Sequence, residues 1–191
     1  MLLANTPAVL QVILDYIRHY GEDRLGGFHF VGGITKLGTD EAISVISKEF
    51  LDLAPGLFST QVEPCISTLE AFMRLCFGPS LSTEDLYLML GYNASVPPSV
   101  RQALFSRSFD NDDLLPRIRK PLLITHAADD GIVRKAVVDQ IKAGVAHAEI
   151  HLMPTTVHAC FWSDPAEFNR RLEAFVDTCR KTSKLSRSSA G

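Results

Sequence analysis

Apolar residues fall at helical spacing almost from the start of the chain. Leu10, Ile13, Leu14 and Ile17 stand at i, i+3, i+4 and i+7 behind Thr6-Pro7, which reads as an N-cap followed by proline at the first helical position. The spacing predicts a helix with no strand before it. Gly21 ends that helix, and Gly27 to Val31 (Gly-Phe-His-Phe-Val) reads as a strand closing on Gly32-Gly33. From about Thr39 the pattern becomes a run of helices: Asp40 to Leu53, Val62 to Phe77, Thr83 to Gly91 and Pro98 to Arg107. Breaks fall at Pro55-Gly56, Gly78-Pro79 and Pro97-Pro98.

After Phe109 the alternation of strand and helix returns. Pro121 opens a short apolar run, Leu122 to Thr125, too short for a helix, and Ala127 to Gly131 makes a turn carrying Asp129 and Asp130. Val137, Val138, Ile141 and Val145 then share one helical face, and Ala148 to Met153 is a further strand. A loop from Thr155 to Trp162 holds His158. Asp164-Pro165-Ala166-Glu167 supplies an acidic N-cap, an N1 proline and a capping-box glutamate for a last helix bearing Phe168, Leu172, Phe175, Val176 and Cys179. Beyond it, residues 181–191 read as a mobile, solvated tail.

Composition narrows the picture. With 191 residues and 46% apolar content the chain can build one substantial core. A net charge of −3 gives no argument for nucleic acid or an anionic membrane surface as partner. No apolar run reaches the length of a membrane span, and the uncharged Met1 to Leu14 lacks the basic n-region of a signal peptide. Cys65, Cys76, Cys160 and Cys179 form no Cys-x-x-Cys pair, so reduced thiols in the cytoplasm are expected. His126, His147, His151 and His158 fit no standard ligand spacing, so neither a metal nor a cofactor is expected.

Asp130 and His158 each follow a strand, and one helix joins those two strands, which makes them parallel neighbours with their loops on one edge. A carboxylate beside an imidazole there holds the ring in one tautomer and stabilises its protonated form. Taken singly, an aspartate in this turn is better explained as a helix cap, and a loop histidine by a backbone partner. The joint placement favours chemistry, with Asp130 chosen over Asp129. Phe161 and Trp162 are candidates for a substrate-pocket wall, and Cys160 reads as a small buried filler.

The stretch Ile118 to Val133 resembles the acid-bearing strand and turn of the α/β-hydrolase fold family, with Asp130 and Val133 matching a Gly-x-x-Asp-x-x-Val pattern and Ala127 in place of its glycine. Pro154 to Asn169 is similar to that family's histidine loop and last helix, with His158 at the catalytic position. Phe109 to Pro116 is similar to its return from cap to core. The likeness implies a partial α/β-hydrolase fold: a remnant parallel sheet of about three strands with helices, residues 1–33 and 110–180 as core, and an inserted helical cap over residues 34–109. It implies a hydrolase of an ester or similar small apolar substrate, as in esterases, epoxide hydrolases and haloperoxidase-like members.

In that family a Gly-x-Ser-x-Gly nucleophile elbow precedes the first helix. Counting back from Asp15-Tyr16-Ile17, the elbow falls near Asn5 to Leu10, where the serine and both glycines are absent and Pro7 stands about where the nucleophile belongs. Thr6 is the nearest hydroxyl and reads better as the N-cap. The chain is therefore expected to be a truncated form, inactive as written, with the Gly27 to Val31 strand left as an open edge through which it self-associates. The competing expectation is a non-catalytic binding or assembly protein that keeps the cap and the sheet remnant.

Overall fold

A computed structural model of the chain describes residues 2–4, 7–79 and 81–188, with side chains described over 10–79 and 81–182. Four strands, β1 (Leu2–Ala4), β2 (Phe28–Val31), β5 (Leu122–Ala127) and β6 (Glu149–Met153), form one parallel sheet in the order β1-β2-β5-β6. Its register pairs Phe28 with Leu122 and Leu123 with Glu149. The partial α/β sheet is as expected, with one strand more than about three. The expectation that the chain opens directly on a helix is corrected: β1 pairs with β2, Leu2 against Phe28 to Ala4 against Phe30. Among the described residues the edge strand on this side is therefore β1 and not β2. Three residues before a helix carry no periodicity, so this strand had no sequence signal of its own.

Helices cover both faces because alternate strand positions are apolar on both. Phe28, Phe30, Leu122 and Ile124 pack with Leu10, Ile13, Leu14 and Ile17 of α1 (Pro7–Tyr20) and with Val137, Val138 and Ile141 of α7 (Ala136–Gly144). On the opposite face Val31, Ala127 and Met153 meet Phe168, and Leu123 meets Phe175 and Cys179, all three partners lying on α9 (Pro165–Ser188). Burying a phenylalanine such as Phe28 contributes about 2–3 kcal/mol. Helix α9 continues to Ser188, through most of the segment expected as a mobile tail; residues 189–191 lie outside the described residues.

Between β2 and β5 the chain forms α2 (Asp40–Ser44), α3 (Lys48–Leu57), α4 (Val62–Phe77), α5 (Thr83–Ala94) and α6 (Pro98–Phe105). The short antiparallel strands β3 (Lys36–Leu37) and β4 (Phe109–Asp110) pair where the chain leaves for this helical block and where it returns. The single helix expected over Asp40 to Leu53 is two. Ser47 caps α3 by accepting from the Phe50 N–H, and Ile46 forms an isolated bridge to Val133. Pro55 lies inside α3 and does not end it. The block is not closed upon itself: Val45, Ile46, Phe50, Leu57, Cys65, Leu69 and Cys76 belong to the same buried cluster as the sheet. Met73, Leu81 and Leu86 form a small cluster within it.

Candidate active site

The acid turn follows β5, and its shape is set by Asp130. Oδ1 of that side chain accepts from the backbone N–H groups of Ile132 (2.8 Å) and Val133 (3.0 Å), an Asx-type turn that aspartate favours. The turn is tied to the histidine loop by Asp129 N–H to the Thr155 carbonyl and Gly131 N–H to the Thr156 carbonyl. The helical block ties it from the other side, through Ser47 Oγ–H to the Gly131 carbonyl at 2.6 Å and Ser47 N–H to the Ile132 carbonyl.

His158 lies in the loop after β6, and its Nδ1 stands 2.8 Å from Asp130 Oδ2 and 3.1 Å from Oδ1. The structure thus brings Asp130 and His158 together, while Asp129 is exposed. Both partners are buried, and the Asp130 carboxylate is fully enclosed. Burial alone would raise the Asp130 pKa. The hydrogen bond and positive charge of His158, with the two backbone N–H donors, outweigh burial and hold the carboxyl below its usual range. An ionised carboxylate can only accept, so Nδ1 carries a proton and Nε2 is the nitrogen left to exchange one. Among the described residues Nε2 has no hydrogen-bond partner.

Three supports of this pair were not singled out for it in the sequence. Gly32, at φ +55°, turns the backbone after β2 against the imidazole; a Cβ there would lie 2.9 Å from His158 Cε1. Only glycine takes this conformation and this proximity without strain. The Gly32-Gly33 dipeptide was the available signal, and it marked only a strand end. The Cys76 carbonyl, in the last turn of α4, accepts from Ala159 N–H at 2.8 Å and steadies the histidine loop. His126, at the end of β5, places Nε2 2.9 Å from the Val133 carbonyl and 3.8 Å from Asp130 Oδ2.

The pocket-wall candidates diverge. Phe161 packs edge-on against Phe168 of α9 at 5.9 Å and serves the core there. Trp162 is 42% exposed and meets Phe77 edge-on at 5.7 Å. Both lie in or beside α8 (Cys160–Ser163), a short helix within the expected loop. Cys160 is fully buried; burial and the nearby Asp130 charge push its thiol up to about 11, and the same two causes raise Cys76. Neither offers a thiolate at neutral pH. His147 is bound to the Lys120 carbonyl and His151 lies beside Glu167; among the described residues no three His, Cys, Asp or Glu side chains converge as a metal site requires. Thr6 and Asn5 lie outside the described residues, between the end of β1 at Ala4 and the start of α1 at Pro7.

No protein-family model matches the chain. A 2-hydroxy-6-oxo-6-phenylhexa-2,4-dienoate hydrolase of Delftia acidovorans is 28% identical over 124 residues, 60% of this chain and 43% of that protein. The crystal structure of an esterase from Rhodococcus sp. ECU1013 superposes with a TM-score of 0.86 at 26% identity, covering 93% of this chain and 64% of the esterase. A bromoperoxidase from Bacillus anthracis superposes at 0.75 and 17% identity, over 92% of this chain and 66% of its own, a likeness of fold alone. The chain thus spans less than two thirds of the hydrolase and of the esterase. By its parallel sheet, its helical layers and these likenesses, the chain has a partial α/β-hydrolase fold.

Proposed function

We propose that Asp130 and His158 are the acid and base of a hydrolase acting on an ester or a similar small apolar substrate. The observation that carries this reading is the 2.8 Å contact between His158 Nδ1 and the enclosed Asp130 carboxylate, made by loops after two adjacent parallel strands. In such a pair the ionised acid fixes the Nδ1–H tautomer. Nε2 then takes a proton from a nucleophile and returns it to the leaving group, and the carboxylate stabilises the imidazolium in between. A serine upstream would give esterase chemistry through an acyl-enzyme; an aspartate would give an ester intermediate opened by water that His158 activates. The esterase likeness favours the first.

We assign residues 1–33 and 110–180 to the hydrolase core and 34–109 to a cap. In support, the end of α4 meets the histidine loop through Cys76, and the next residue, Phe77, packs against Trp162 of α8 as an apolar wall. In the family the nucleophile lies between a strand and the first helix; here the sequence between β1 and α1 is Asn5-Thr6, with no serine. In our reading the chain as given therefore binds a small ester without turning it over. Its four cysteines are unpaired, in keeping with a reducing, cytoplasmic setting, and self-association through the outer edge of β1 is the further partner we assign.

Trp162 is the single tryptophan, so its fluorescence reports directly on the assigned wall. Titration with a short aryl ester is expected to quench it saturably with no release of phenolate. Absence of any saturable change would overturn the substrate reading. Phenolate release that disappears in His158→Ala would overturn the inactivity while upholding the hydrolase.

A further inference from the structure

The backbone around Asp130 is accounted for almost bond by bond, and one side chain does more than pack there. His126 is 1% exposed, on the last turn-facing residues of β5, four positions before Asp130. Its Nε2 is 2.9 Å from the Val133 carbonyl oxygen. A carbonyl has no proton to give, so Nε2 is the protonated nitrogen. That same N–H lies 3.8 Å from Asp130 Oδ2, the oxygen that receives His158. Val133 in turn donates its own N–H to Asp130 Oδ1. One imidazole therefore grips the residue whose N–H grips the acid, and sets the positive end of its own N–H dipole beside the oxygen facing His158.

We propose that His126 is a positioning residue for Asp130: it fixes the Val133 backbone, and through it the Asp130 rotamer, so that Oδ2 is aimed at His158 Nδ1. It touches neither substrate nor a reacting atom and acts through the acid alone. Two neighbours define the alternatives. Ser47 holds the turn at Gly131 and Ile132, on the side of the helical block, and does not approach the carboxylate. The Ile46–Val133 bridge fixes the strand direction but leaves the Val133 carbonyl to His126. Among the described residues, His126 alone approaches both the Val133 carbonyl and the Asp130 carboxylate.

The role of Asp130 as catalytic acid comes from the hydrolase reading, and the test separates the two. In the 15N-histidine-labelled full chain, ring-nitrogen spectra report each tautomer without any activity. His126 is expected as the neutral Nε2–H form and His158 as the Nδ1–H form with a downfield, slowly exchanging Nδ1 proton. His126→Phe, which keeps a ring but no donor, is expected to lose that His158 signal, and His126→Gln, which restores an N–H, to regain it. A wild-type His126 protonated at Nδ1 with Nε2 bare overturns the proposal with no variant needed, as does a folded His126→Phe whose His158 Nδ1 proton is unchanged. If the chain hydrolyses no ester yet these signals behave as described, the positioning stands and only the activity is in question.

Discussion

At the scale of single residues, the pair depends on groups that have no chemistry of their own. Gly32→Ala is expected to be disproportionately harmful. Alanine at φ +55° is strained, and its methyl would press on the His158 ring at 2.9 Å. A loss of about 1–3 kcal/mol in chemical denaturation is expected, together with loss of the His158 Nδ1 proton signal. A second buried histidine works through pH. His29 is fully enclosed under α9, bound through Nε2 to Thr125 Oγ, with Nδ1 unpartnered among the described residues. Burial, then the charge of His151, lowers its pKa from 6.5 to about 4. The folded state thus binds fewer protons than the unfolded one between those values. Stability from His29 is present above pH 6.5 and is lost as pH falls towards 4, by about 3 kcal/mol at most. Denaturation midpoints across that window check it, and His29→Leu is expected to flatten the slope.

Asp130 and His158 were legible in the sequence because each stands just past a strand, and strand adjacency follows from chain order. Gly32 and Ser47 were not, since their roles rest on contacts across the fold: Gly32 with a ring more than a hundred positions later, Ser47 with a turn from another part of the chain; His126 was not, because its partner is a nearby backbone carbonyl that no residue pattern marks.

Among the elements, the same division holds. The long periodic helices and the three longer strands declared themselves, whereas β1 was too short for a pattern and the break between α2 and α3 follows from the docking of Ser47 on the acid turn. The helical block has its own organiser in Arg101, which is 9% exposed and meets no carboxylate among the described residues. Its guanidinium donates to the carbonyls of Leu57 (2.8 Å), Asn93 (2.9 Å) and Val96 (2.6 Å), at or near the C-terminal ends of α3 and α5, and reaches Cys65 Sγ. A cation is favoured at helix C-termini; the Asn93 carbonyl also accepts from the Val96 N–H, whereas among the described residues the Leu57 and Val96 carbonyls have no other donor. Arg101→Met is expected to cost about 3 kcal/mol or more and to raise amide exchange at the ends of α3 and α5 before the sheet. Arg101→Lys, with one compact head, would recover only part.

For the molecule as a whole, the crossing between sheet and helical block is narrow: two residues of β3 against two of β4. Lys36 stands at it, 18% exposed, with Nζ 3.0 Å from Asp112, 3.3 Å from Asp110 and 3.3 Å from Glu41. The hydrogen bond to Asp112 is the first cause of its raised pKa. Lys36→Met leaves those carboxylates facing one another, and a loss of about 1 kcal/mol that shrinks at high salt is expected, read from melting curves at two ionic strengths.

The helical block also reaches past this crossing to both halves of the pair, through Ser47 at Gly131 and through the Cys76 carbonyl at Ala159. It serves as a splint set across two loops of the sheet. Exchanging it for the corresponding block of another protein would therefore be a transplant with two sutures, a hydroxyl at one and a free carbonyl at the other. A donor block chosen for its pocket alone would leave Asp130 and His158 in place in the chain and out of line in space.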